Sequence, residues 1–300
     1  MKRSLFVICS AILFLSSCEE KAPLIIFKES AAKDTTYLLS TVPGTEAHNV
    51  LIEEYTGQSC SNCPAAHVTI EGYIHAKPPG RINVIGLYNF GIQQTVPPNG
   101  SHNDFRDSTA TDIGKTIYGT VGQIPTGGVD RVAVAGRVLL NTGEWANVLN
   151  TRLDIEDSLN LKVTSSWDAA KGEATITALI TYTKPVSGMH NLSLVLVEDG
   201  IVDIQEYPAF DPNFPSGHDE DYDFTNVFRD MITAAPWGDP LLPAQAIKEP
   251  GRVIQKVYTY KPKTKTPAIK PENCKVVAFV NGSSSANLRI YQSVQTKLKP

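Results

Sequence analysis

Two cysteines three residues apart, Cys60 and Cys63, stand in the stretch EEYTGQSCSNCPAAH (53–67), behind the carboxylates Glu53 and Glu54 and ahead of His67. Thiols at positions i and i+3 of a helix start share a face, and their Cα atoms can fall within the ~4.4 to 6.8 Å window of a disulfide. The pair can therefore open and close without moving the fold. Cys60, nearer the solvent and the helix N-terminus, is the expected nucleophile, because unpaired amides and the helix dipole lower a free-thiol pKa of ~8.5. Cys63, deeper in the helix, would resolve a mixed disulfide. A second chemistry uses Cys60, Cys63 and His67 as three metal ligands, since His67 follows Cys63 by about one turn. A closed zinc site wants four ligands and the sequence supplies no fourth, so redox chemistry is favoured and no metal or other cofactor is expected. Pro64 directly after Cys63 excludes the usual c-type haem attachment motif, which needs a histidine there.

The elements around the pair follow from local pattern. Thr35 to Val42 and Asn49 to Tyr55 read as strands, joined by a turn from Pro43 to His48. A helix opening at the cysteines accommodates Pro64, because first-turn amides have no intrahelical acceptor to lose. Ala66, Ile70 and Tyr73 or Ile74 give its apolar spacing, and Lys77-Pro78-Pro79-Gly80 ends it. Arg81 to Phe90 is then a strand parallel to the Asn49 to Tyr55 strand by a right-handed crossover. Residues 91 to 103 read as loop and Asp104 to Tyr118 as helix. Gln123-Ile124-Pro125-Thr126 leads into an apolar segment, Val129 to Val134, and Arg137 to Leu140 is a further short strand. Asn141 with Glu144 three residues on forms a capping box, opening a helix with Trp145, Val148, Leu149 and Leu153 on one face. An α/β unit spans 35–157.

From Asn160 onward the pattern changes to β-runs (LKVTSSW, EATITALITYT, HNLSLVLVED, RVIQKVYTYK, CKVVAFVN, NLRIYQSVQTK) punctuated by Gly, Pro, Asn and Ser. Residues 158–300 thus read as an all-β, sandwich-like domain with an insertion at about 203–250. The acidic stretch His218 to Asp223 in that insertion could bind calcium through its carboxylates, but it lacks EF-hand spacing and reads more simply as a solvated loop.

The first seventeen residues pair Lys2 and Arg3 with an apolar run, Leu5 to Leu15, too short to span a bilayer and built like an export signal. The run ends Leu15-Ser16-Ser17-Cys18, which resembles the bacterial lipobox; 1–17 would be removed, Cys18 acylated, and 18–34 left as a tether. A multiply acylated Cys18 anchors stably without a transmembrane helix. Glu19, Glu20 and Lys21 resemble acidic surface-export signals. Loss of Cys9 and acylation of Cys18 leave Cys60, Cys63 and Cys274, hence at most one intramolecular disulfide. Sequence adjacency favours Cys60 with Cys63, and Cys274 in the string CKVVAFV reads as a buried, inert thiol, with a third redox centre as the alternative. The composition, 42% hydrophobic and 19% charged with a formal charge of -4, is that of a globular protein and gives no nucleic-acid-binding surface. No nucleotide fingerprint, P-loop or Gly-x-Ser-x-Gly motif is present.

The order β, CxxC at a helix start, β, helix, Ile-Pro-Thr, two strands and helix resembles the thioredoxin fold over 35–157. The resemblance implies that Pro125 is a cis proline facing the cysteines and that Glu54, six residues before Cys60, is a buried acid exchanging a proton with the resolving thiol. Buried, Glu54 would have a raised pKa suited to acid/base work; the other reading is a solvated charge at a strand end, with Glu53 on the opposite face. Ser59 stands where thioredoxins usually carry an aromatic residue, and Ser61-Asn62 replaces Gly-Pro. With the lipobox, the strand-TG-x-x-C-x-x-C-P stretch from Ile52 to Pro64 and the β-rich second half, the chain resembles the outer membrane protein 28-related lipoproteins of Bacteroidota. Two functions follow as expectations. One is thiol–disulfide exchange on envelope or extracellular proteins, from the outer membrane and at its periplasmic or cell-surface face, with Cys60, Cys63, Pro125 and Glu54 as the site. The other is a surface binding or adhesion lipoprotein in which the bridge is only structural.

Overall fold

The computed structural model describes residues 33–245 and 247–300. The export signal, the lipidation residue Cys18 and the tether up to residue 32 lie outside the described residues. The first half gives β1 (Thr35–Leu38), β2 (Val50–Tyr55), α1 (Cys63–His75), β3 (Ile82–Leu87), α2 (Ser108–Ile113), β4 (Thr126–Val129), β5 (Leu140–Asn141) and α3 (Thr142–Leu153). The second half gives β6 (Leu159–Asp168), β7 (Glu173–Tyr182), β8 (Val186–Ser187), β9 (His190–Glu198), β10 (Ile201–Glu206), β11 (His218–Phe224), β12 (Val227–Met231), β13 (Asp239–Leu241), β14 (Ile247–Lys248), β15 (Arg252–Tyr260), β16 (Cys274–Gly282) and β17 (Ile290–Lys297).

β2 and β3 pair in parallel, Val50 opposite Ile82 through Tyr55 opposite Leu87, and both are buried along their whole length. Burial on both faces is what a parallel pair with a helical crossover requires. Alternation along β2 sorts its side chains: Val50 and Ile52 pack with Ala66 and Ile70 of α1 and with Trp145 and Leu149 of α3. Leu51 and Tyr55 pack on the other side with Ala110 and Ile113 of α2. Glu54 therefore faces the α1 side and Glu53 the α2 side. The capping box of α3 is formed between Asn141 and Glu144.

Several elements differ from the sequence pattern. α1 begins at Cys63, because Cys60 N–H and Cys63 N–H donate to Gly57 O and Cys60 O in two successive turns before the helix starts. Pro64 falls in the first turn, where it costs no helical bond. The helix expected over 104–118 is the short α2 followed by a π-helical turn, Gly114–Tyr118, with Asp107 accepting from Thr109 N–H and Ala110 N–H as the cap. β4 occupies Thr126–Val129, antiparallel to β2, and the chain then turns through the positive-φ residues Asp130 and Arg131 instead of continuing as a strand to Val134. β1 pairs with β15, not with its neighbour in sequence.

The major sheet runs β17-β16-β9-β12-β3-β2-β4-β5, so it crosses the expected boundary at 157/158 without interruption. The strand that splices the halves is β12, from the insertion, which pairs with β9 on one side and meets β3 at Val227 opposite Gly86 on the other. A second sheet, β1-β15-β7-β6, faces the β9 and β16 region across a core that includes Leu161, Ile176, Ile180, Leu194, Val276 and Val280. β7 shows the alternation this demands, one face buried and the other half-buried. The 218–223 stretch is strand β11, paired with β10, not a loop. Among the described residues no cluster of three or more His, Cys, Asp or Glu could hold a metal ion. Among the described residues, too, no helix is long and apolar enough to cross a membrane.

Candidate functional site

Cys60 and Cys63 are joined in a disulfide, Cα atoms 5.4 Å apart, at the mouth of α1. Cys274 is free and buried, its thiol pushed up to about 12 chiefly by burial and then by the nearby Glu198 charge, and it donates to Lys270 O at 3.2 Å. A thiol so far from ionisation is inert at neutral pH.

The expected exposure of Cys60 is not what the structure shows. It is only 3% exposed and Cys63 is fully buried. Two segments bond to the turn that carries them. On one side, Ser59 N–H donates to Gln94 O at 2.9 Å and its hydroxyl to Val96 O at 2.8 Å. On the other, the Gln205 amide on β10 donates to Cys60 O at 3.1 Å and Gly57 O at 3.3 Å, and Glu206 N–H donates to Gln58 O at 2.8 Å. Gly57 is required where it is, because a Cβ there would sit on the backbone of Gln94.

Glu54 is 3% exposed, and burial alone raises its pKa well above the carboxylate range. Its Oε1 has no hydrogen-bond partner. Imidazole Nε2 of His67 is 3.5 Å away but is already engaged with the Thr56 hydroxyl at 2.9 Å, while Nδ1 meets the Tyr222 hydroxyl of β11 at 2.6 Å. Burial pushes His67 down to about 4. The imidazole is thus neutral at pH 7, and its approach to Glu54 is not an ion pair. A cavity of about 20 Å³, enough for one water molecule, lies against Glu54, Thr56 and His67.

Glu53, on the opposite face, makes a two-pronged ion pair with Arg131 (Nε–Oε2 and Nη2–Oε1, both 2.7 Å) and accepts from the Tyr118 hydroxyl. Arg131 also lies over the Phe279 ring at 5.1 Å, tying the turn after β4 to β16. The Ile124–Pro125 peptide bond is cis, and Pro125 shares a groove of about 480 Å³ with Asn62, Ala65, Ala66, Thr69 and Asn141. Pro125 therefore lines one groove with Asn62, one of the two residues between the cysteines.

His67 stood out in the sequence as a ligand, and the structure gives it two hydroxyl partners and a carboxyl neighbour instead. Gln205, Tyr222 and Asp203 were not singled out. A signal existed for two of them: β10 reads Ile201-Val202-Asp203-Ile204-Gln205-Glu206, and its buried alternate positions are filled by Asp203 and Gln205, polar residues on an inward face. Such residues need partners, and here the partners are the loops around the disulfide.

Over residues 114–300 the sequence matches the family described as outer membrane protein Omp28. No curated protein matches the chain. Among solved structures the chain is similar to HBP35 of Porphyromonas gingivalis, with a TM-score of 0.59 and 17% identity, over 86% of this chain and 78% of that one. A structural-genomics protein of Agrobacterium tumefaciens follows, with a TM-score of 0.49 and 12% identity, over 85% of this chain and 96% of that one. At these identities the HBP35 likeness concerns the fold alone.

Proposed function

The chain belongs to the Omp28 family of outer membrane proteins, and on that footing we propose that it is a lipoprotein anchored through Cys18 whose region from β2 to α3 is a thioredoxin-like unit exchanging disulfides with envelope proteins. One observation carries this reading. The Cys60–Cys63 disulfide stands at the start of a helix that packs on the same side of β2 as Glu54, a buried acid with an unpartnered oxygen. Leaving a buried polar atom unpaired costs about 1–3 kcal/mol, which a purely structural bridge gives no reason to retain. In the exchange, a partner thiolate attacks Cys60 Sγ, the S–S bond breaks, and Cys63 leaves as a thiolate. The protonated carboxyl of Glu54 is the group that supplies its proton.

The second reading, a surface binding protein in which the bridge only pins the helix start, is favoured by the burial of Cys60. The reduction potential of the Cys60–Cys63 pair, with Cys60→Ser as control, separates the two. A potential above about -300 mV with transfer to a protein dithiol supports exchange; a lower one with no transfer assigns the bridge to structure.

A further inference from the structure

We infer that the β10–β11 hairpin is a strap over the disulfide, and that Gln205 determines when a partner thiol reaches it; the inference rests on the exchange reading above. Thiol–disulfide exchange needs a nucleophile to approach a sulfur along the S–S axis, and both sulfurs belong to residues that are 3% and 0% exposed. Something must move. The cover made by residues 94–96 is fixed by the close backbone approach at Gly57. The other cover is built differently. β10 and β11 form a two-stranded ribbon outside both large sheets, so its displacement breaks no strand of either. A two-stranded hairpin is marginal by itself.

Besides the bonds that Asp203 accepts from His102 N–H and from the Asn103 N–H and side-chain amide, the strap is held by polar contacts to the site. Gln205 donates to Cys60 O and Gly57 O, and Glu206 N–H to Gln58 O. Gln58 donates to the Ser101 hydroxyl, which donates in turn to Asp203 of the same strand at 2.8 Å. Tyr222 OH meets His67 on α1. The latch is incomplete in its closed form: Gln58 Oε1 and Gln205 Oε1 are both buried without partners. Opening lets water satisfy them, which offsets part of the cost of breaking the donors' bonds. At the base, Ile201 and Phe224 remain packed with Tyr88, Phe105 and Val227, giving the ribbon a hinge.

The step to be gated is balanced by a dithiol reductant. Its first thiolate forms a bond to Cys60 Sγ and breaks the S–S bond, and Cys63 takes up a proton. Its second thiol then displaces Cys60, so the reductant leaves as a disulfide and two electrons and two protons reside on the pair.

The test follows reduction of the oxidised full chain by dithiothreitol, with alkylation of Cys60 and Cys63 read by mass spectrometry. Variants are Gln205→Ala and Glu206→Pro, which remove different latch donors, with Val202→Ala on the outward face of β10 as control. The two latch variants are expected to be reduced about tenfold faster than wild type, the size of one lost hydrogen bond, with Val202→Ala unchanged. Because the latch bonds backbone carbonyls present in both redox states, the reduction potential stays at its wild-type value. Wild-type rates in both latch variants overturn the inference; should Gln205→Ala not fold, Glu206→Pro alone decides. Failure of the exchange reading shows separately, in the potential and the absence of transfer to a protein dithiol, and leaves the rate ratios as the measure of the strap.

Discussion

Replacing Glu54 by leucine should stabilise the protein, and more so at alkaline than at acid pH. The carboxyl is buried with an unpartnered Oε1, and nothing cationic compensates it, since His67 is held neutral by its own burial. Removing that unmade bond returns about 1–3 kcal/mol, and the substituted side chain adds buried apolar surface beside Ile70 and Val84, which line the same cavity. The pH sense follows from linkage. Glu54 has a folded pKa raised above its unfolded value, so its contribution is fully present below the unfolded pKa of about 4.3 and is lost as pH rises through the folded value. Wild type should therefore weaken relative to Glu54→Leu between pH 4 and pH 8. Urea unfolding of both oxidised proteins at the two pH values measures the difference directly. A stability difference that is equal at pH 4 and pH 8, or a destabilised variant at both, would refute the view of Glu54 as an unpaired buried acid. The same variant should also slow reduction of the Cys60–Cys63 pair, because the departing Cys63 thiolate loses its proton donor.

Two further outcomes test the scaffold. Burial works to lower the pKa of His48, but its bonds to Asp130 and Asp157 together outweigh that and hold it above the ordinary histidine value. Its stabilisation is full below about pH 6.5 and lost as pH rises through the folded pKa, so thermal unfolding of His48→Gln should show a flatter decline from pH 6.5 upward than wild type. Arg131→Met should lose about 3–5 kcal/mol in urea unfolding by leaving Glu53 buried with only Tyr118, and adding Glu53→Gln should recover part of that loss.

The local chemistry of this site was legible in the residues because its signals lie within one turn or one strand. Cys60 with Cys63, Pro64 in the first turn of α1, the opposite faces of Glu53 and Glu54, and the Asn141–Glu144 box all depend on spacings of one to four residues. The helix start was displaced to Cys63 because two turn hydrogen bonds precede it, a competition that spacing does not resolve. The long insertion was visible as an interruption of the β-pattern, but its work was not: β12 fills the place between β9 and β3, and β10 bonds to the turn that carries the disulfide.

What the sequence by itself determined is the placement of two thiols at a strand-to-helix junction and the switch from helical to alternating period after α3. What only the tertiary structure decided is access and charge state. Cys60 is buried and its carbonyl is bonded by Gln205, 145 residues away in the chain, and burial beside Tyr88 and Asn226 raises the Glu54 pKa. The His48 cluster is likewise assembled from Asp130, Arg152 and Asp157, brought in from the turn after β4, from α3 and from the chain just beyond it. Desolvation depends on everything within a few ångströms of a group, whatever its distance in sequence. A Cys-x-x-Cys pair therefore specifies its own geometry, while its burial depends on the rest of the tertiary structure.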